Sequence, residues 1–246
     1  CALPILKLDG FVMLGFAAAG DMDLGINGVL HTQVLVMDEA GNISTKDILS
    51  GAQITEIQNL AAGLNLQNTA DYNLFVNRLQ DAQGDADSSL YNSEVHFSVN
   101  NLVKYEYGGK SYDTVTEFTV TRDEVAYDVS VMNGSQHIFD FQSSGANAAE
   151  ALAGMNKILE IAGKYNMLDS KNWAAFGADL QDLLRENGAM FGGKIGITFY
   201  NPDGTKYGDF TFYADHVTYE NVRVLGKDGS YIDIAGDAKT MGEAME

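Results

Sequence analysis

Residues whose types and spacing could do chemistry are few in this chain, and they fall into four groups. The four histidines, His31, His96, His137 and His216, each fall on a predicted strand. Metal binding is the first chemistry to test. No two of them stand at ligand spacing, however, and a catalytic zinc site takes three converging protein ligands. His96 falls on the polar side of its alternation, whereas His137 shares a side with Phe139 and Phe141, the pattern of a hydrogen-bonded core histidine.

Carboxylates form the second group, and calcium is the cofactor they suggest, because it takes several oxygens from flexible side chains and carbonyls. Asp81, Asp85 and Asp87 cluster near Ser89 after a helical stretch, and Asp21, Asp23 and Asn27 lie in a glycine-rich connector. Neither loop has the Gly at position six and the Glu at position twelve of a calcium-binding loop, so solvated turn carboxylates are the competing reading. Cys1, the single cysteine, is the third: it excludes an internal disulfide framework, and as a first residue it is a candidate lipid anchor. Against the anchor, the apolar Ala2-Leu3-Pro4-Ile5-Leu6 follows where a polar tether is expected. Fourth, Asn42-Ile43-Ser44 and Asn133-Gly134-Ser135 make Asn42 and Asn133 candidate glycosylation sites in loops.

Enzymatic signatures are absent from the sequence: there is no Gly-x-Ser-x-Gly elbow, phosphate loop, dinucleotide glycine fingerprint or His-Glu-x-x-His. Ser, His and Asp are all present, and triads assemble from distant positions, so spacing names no members for one. The charge balance narrows the partners. With 15 Lys and Arg against 34 Asp and Glu the net charge is −19, which argues against nucleic acid and anionic membrane surfaces, both of which need basic protein surface. The longest apolar run, Phe11 to Ala19, falls well short of the roughly 20 residues that span a bilayer.

The elements that must position these groups can be read from periodicity. Residues 1–19 are apolar and nearly uncharged, which fits a strand buried on both faces. Gly20 to Gly28 reads as a turn-rich connector and Val29 to Met37 as one strand. Ser50 with Gln53 has capping-box spacing and opens a helix carrying Ile54, Ile57 and Leu60; a second helix covers roughly Ala70 to Ala82. From Tyr91 to Gln142 four strands follow one another as a meander, with tight turns at Gly108-Gly109 and Asn133-Gly134. Helices over Ala148 to Lys164 and Ser170 to Glu186 come next, and residues 195–234 alternate as a second meander.

The expected fold is therefore α+β, two antiparallel meanders each packed by a pair of helices, in three segments: 1–49, 50–143 and 144–246. The helical pairs share a register, Phe75 with Phe176 and Leu79-Gln80-Asp81 with Leu180-Gln181-Asp182, which suggests an internal duplication. For function, the apolar start suggests a non-enzymatic extracellular or cell-surface protein, a filament or surface-lattice subunit. Its copies would associate head-to-tail by strand addition through Leu3, Ile5, Leu6, Leu8, Phe11, Val12, Leu14 and Phe16. A secreted or lipid-anchored binder of a carbohydrate or small ligand, using tyrosines and Trp173, is the first alternative, and an enzyme of unrecognised family is the second.

Overall fold

The structure, a computed structural model, describes residues 7–8, 11–225 and 231–246. They form a mixed α+β chain whose registered strand pairs are antiparallel. Two compact units divide it: residues 1–102 with 117–125, and residues 103–116 with 126–246.

The first unit begins with β1 (Lys7–Leu8), β2 (Phe11–Phe16), β3 (Asp21–Leu24), β4 (Gly28–His31), β5 (Gln33–Met37) and β6 (Ile43–Asp47). Helices α1 (Gly51–Ala61) and α2 (Thr69–Gly84) follow, then β7 (Val95–Asn100). The second unit holds β8 (Tyr105–Tyr107), β11 (Gln136–Gly145), α3 (Ala148–Ala162) and α4 (Trp173–Asn187), followed by β12 (Ile195–Tyr200), β13 (Lys206–Phe212), β14 (Val217–Leu225), β15 (Tyr231–Ala238) and α5 (Met241–Ala244). Strands β9 (Lys110–Thr121) and β10 (Glu124–Asn133) contribute residues to both units.

The strands make a small sheet in the order β1-β2-β5-β6 and an open sheet of eleven, β15-β14-β13-β12-β11-β10-β9-β7-β4-β3, with β8 beside β9. Two separate meanders are therefore not what forms: β11 pairs with β12, Phe139 facing Phe199 and Phe141 facing Ile197, so the strands before and after α3 and α4 share one sheet. Burial drives that pairing, because the phenylalanines on neighbouring strands meet only if the strands are adjacent.

Several local expectations are corrected. Val29 to Met37 is not one strand: at Thr32 the chain leaves the large sheet as β4 and enters the small one as β5, with Thr32 Oγ1 donating to the Gly20 carbonyl at 2.6 Å. The connector before it contains β3, which pairs with β4 around a turn where Gly25 and Asn27 both have positive φ. The first meander strand is broken into β7 and β8, with Asn101 at φ 55 in the interruption. The hairpin turn after β10 is Gly134-Ser135, one residue later than expected, with positive φ at Gly134, the position that a type II′ turn reserves for glycine. Gly108-Gly109 turns as expected, both residues at positive φ.

Helix α1 starts where the sequence places it. Ser50 Oγ accepts from the Gln53 amide at 3.4 Å, and Gln53 Oε1 accepts from the Ser50 amide at 2.8 Å, the reciprocal capping box. Replacing Ser50 with Ala is expected to cost about 1 kcal/mol of stability in urea unfolding; an unchanged midpoint would mean that the cap contributes nothing.

Aromatic rings fill both cores. In the first unit Phe75 of α2 meets Phe97 edge-on at 5.2 Å, and Phe97 stacks on Phe118 at 5.0 Å. In the second, Trp173 and Phe176 of α4 pack on Phe199 at 4.4 and 6.2 Å between ring centroids. No helix among the described residues is long and apolar enough to cross a membrane.

Candidate functional site

The described part of the sequence-derived assembly segment, Leu8, Phe11, Val12, Leu14 and Phe16, lies in the small sheet. Leu3, Ile5 and Leu6 fall outside the described residues, as does Cys1. Leu8 pairs with Phe11 between β1 and β2, and β2 pairs with β5, so these residues are paired within their own chain's sheet. Val12 faces Met37, which faces Ile43, making one cross-strand apolar row. That row is only partly covered: Val12 is 38% exposed and Ile43 63% exposed, and Leu14, at the register shift in β2, is 44% exposed. Burial on both faces of this strand is thus corrected; its opposite face alone is packed. There Met13, Val34 and Val36 are buried together, with Phe16 and Ile48 against them.

Phe16 leads from the small sheet to a polar cluster in the same unit. Its ring stacks on the imidazole of His31, centroids 4.5 Å apart and planes 13° from parallel, and lies 5.0 Å from that of His96. His31 and His96 are cross-strand partners on β4 and β7. Both ring nitrogens of His31 reach carboxylates: Nδ1 is 2.7 Å from Asp21 on β3, and Nε2 is 3.0 Å from Glu117 on β9. Burial disfavours the charged ring, but the hydrogen bonds to Glu117 and Asp21 outweigh it, so His31 titrates above its ordinary value of 6.5. His96, expected on a polar face, is buried; its Nε2 is 2.8 Å from Glu94 and its Nδ1 3.0 Å from the Thr119 hydroxyl. That hydrogen bond to His96 holds Glu94 below the usual carboxylate range against the opposing effect of burial.

A second cluster occupies the other unit. Asp140, 3% exposed, accepts from the Tyr200 hydroxyl at 2.5 Å, and its other oxygen lies 2.8 Å from His137 Nδ1. The His137 ring stacks on Tyr200 at 5.0 Å. Burial and then the Asp140 hydrogen bond raise the Tyr200 pKa. His137 is hydrogen-bonded as expected but stays one-third exposed, so the core residue here is the aspartate. Nearby, Asp209 is held below the ordinary carboxylate value: burial opposes this, and bonds from Lys206, Asn221 and Thr198 prevail.

The calcium candidates do not converge into ligand sets. Asp21 is engaged by His31, Asp23 is exposed on β3, and Asn27 Nδ2 donates to Asn65 and Gln67. Asp81, Asp85 and Asp87 are exposed, and the Ser88 and Ser89 hydroxyls donate to the Glu56 carboxylate of α1. Among the described residues no group of three or more His, Cys, Asp or Glu side chains could hold a metal ion. Asn42 and Asn133 are exposed; Asn42 bonds Asp38 through its side-chain nitrogen at 2.9 Å.

Trp173 borders a cleft of about 320 Å³ together with Leu168, Asp169, Ser170, Asn201 and Pro202. Its indole Nε1 is already committed to the Met167 carbonyl at 2.7 Å, and no tyrosine lines the cleft.

Sequence reasoning missed the meeting of His31 with Asp21 and Glu117, because the partners lie on three strands and only the sheet order brings them together. The alternation of β4 and β9 was a usable signal for the face each side chain takes, but not for the pairing. No protein-family model, no curated protein and no solved structure matches this chain.

Proposed function

We propose that the protein is a non-enzymatic structural subunit of an extracellular or cell-surface filament or lattice, and that its copies join through the small sheet. The observation that supports this reading is the partly covered row of Val12, Met37 and Ile43 on a sheet whose outer strands are β1 and β6. An apolar sheet face and an outer strand together invite a further strand. Direction favours propagation. Each registered neighbour in β1-β2-β5-β6 is antiparallel, so β6 runs opposite to β1, and simple repetition of the sheet sets β6 of one copy antiparallel to β1 of the next. Such a contact is heterologous and need not close.

The test is sedimentation with negative-stain imaging of the full chain and of Ile43→Lys. Ile43 is mostly exposed, so the change leaves the fold intact while placing a charge in the junction. Regular polymers are expected from the native chain, with the critical concentration raised more than about tenfold in the variant, since burying such a side chain contributes about 1.5–3 kcal/mol. A compact native monomer would overturn the reading. Deleting residues 1–19 is a poorer test, because Met13 and Phe16 belong to the core of this sheet.

A duplicated unit forms part of the same proposal. It is supported by the pairing of β4 with β7 across α1 and α2 and of β11 with β12 across α3 and α4. Superposing the two helical pairs with their following strands tests it, and divergent helix placement would refute it. Binding of a carbohydrate or small ligand is the second reading, favoured by the cleft beside Trp173 with Asp169, Ser170 and Asn201 as polar groups.

A further inference from the structure

Two buried histidines face each other across β4 and β7, yet their hydrogen-bonding demands differ. His96 has one carboxylate, Glu94, and one hydroxyl, Thr119. A hydroxyl can donate or accept, so either charge state of His96 satisfies both partners. His31 has carboxylates on both ring nitrogens, Asp21 at 2.7 Å and Glu117 at 3.0 Å. Only an imidazolium has two N–H donors, so a neutral His31 must leave one nitrogen lone pair facing a carboxylate.

The ring so held is also the seat of Phe16, the last residue of β2. The connection is immediate in sequence as well: Thr32, one residue beyond His31, is where the chain passes into the small sheet, and the Ala17 amide bonds the Gln33 carbonyl at 3.0 Å. We propose that His31 is a proton-operated latch: its imidazolium ties β3 to β9 and seats Phe16, and loss of the proton loosens the small sheet from that seat. This goes beyond the assembly reading and stands whether or not the chain polymerises.

Other charges face the latch. Asp23 follows Asp21 on the same side of β3, Glu94 and His96 lie on the β7 side, and Lys46 of β6 shares the cross-strand row of Phe16 and Val34. The raised folded-state value of His31 means that its stabilisation is complete below the unfolded value of 6.5 and is lost as pH rises through the folded one. The latch is closed on the acid side of that range and open above it.

Nuclear magnetic resonance on the full chain reads both parts: the His31 ring titration, and amide exchange at Val34 and Val36, corrected for the intrinsic pH dependence of exchange. Protection of these amides is expected to fall about tenfold for each pH unit between 6.5 and the His31 midpoint. His31→Phe keeps an aromatic seat and should abolish that dependence. Glu117→Gln keeps the native ring, covers the case in which His31→Phe fails to fold, and should lower the midpoint. A midpoint at or below 6.5, or protection that does not change across it, would overturn the latch.

Discussion

Trp173→Ala is expected to destabilise the chain by about 3–5 kcal/mol, the cost of emptying a site filled by a large aromatic residue. The indole is 1% exposed and stacks on Phe199 with ring planes 26° apart. Tyr207 closes in at 4.9 Å, so removal leaves a space bounded by rings that cannot all collapse into it. Two contributions can be separated. Trp173→Phe keeps a ring on Phe199 but removes the donor to the Met167 carbonyl, which should cost about 1–3 kcal/mol if that carbonyl stays buried. Urea unfolding of the two variants measures both. A loss below about 1 kcal/mol for the alanine variant would show that the stack is not a packed core.

Gly145→Ala should cost about 3 kcal/mol, at the upper end for overpacking, while Gly196→Ala should be nearly neutral. Both sites crowd an added Cβ to 2.6 Å, so distance alone does not separate them. What differs is the obstacle. At Gly145 the nearest atom is the backbone nitrogen of Ala151, in the first turn of α3. That turn is fixed by the Glu150 amide donating to Asn147 Oδ1 at 3.0 Å and by Glu150 Oε2 accepting from the Ala146 amide at 3.1 Å. Backing away would break the N-terminal cap. At Gly196 the obstacle is the exposed side chain of Gln142, its cross-strand partner, which can swing into solvent. Equal losses from the two substitutions, measured by thermal unfolding, would refute this account.

Local features of the fold were legible in the sequence where the cause is local. The Ser50 and Gln53 pair named the start of α1 because a capping box needs only three residues of spacing. Gly108-Gly109 named a turn because positive φ is a property of the residue. The passage at Thr32 was hidden for the opposite reason. Residues able to form a strand continue through it, and residue type carries no information about which sheet a strand joins. The pairing of β11 with β12 was likewise invisible, with two helices lying between the partners. Of the candidate site, the apolar character of Val12, Leu14 and Phe16 was plain from the start. That Phe16 turns inward onto His31 while Val12 and Leu14 remain exposed depends on the β2 register with its irregularity at Leu14.

The clamp on His31 also sets an order of events during synthesis. Asp21 is made before His31, but Glu117 lies 86 residues further along. At about 5–20 residues per second, a ribosome needs on the order of ten seconds to supply it. Throughout that interval the histidine has only half of its clamp, and β4 lacks β7, its neighbour in the finished sheet. Strands β2, β5 and β6 need no such wait, because their partners are all made by residue 47. The nascent chain can therefore close its small sheet well before the second carboxylate of the His31 clamp arrives.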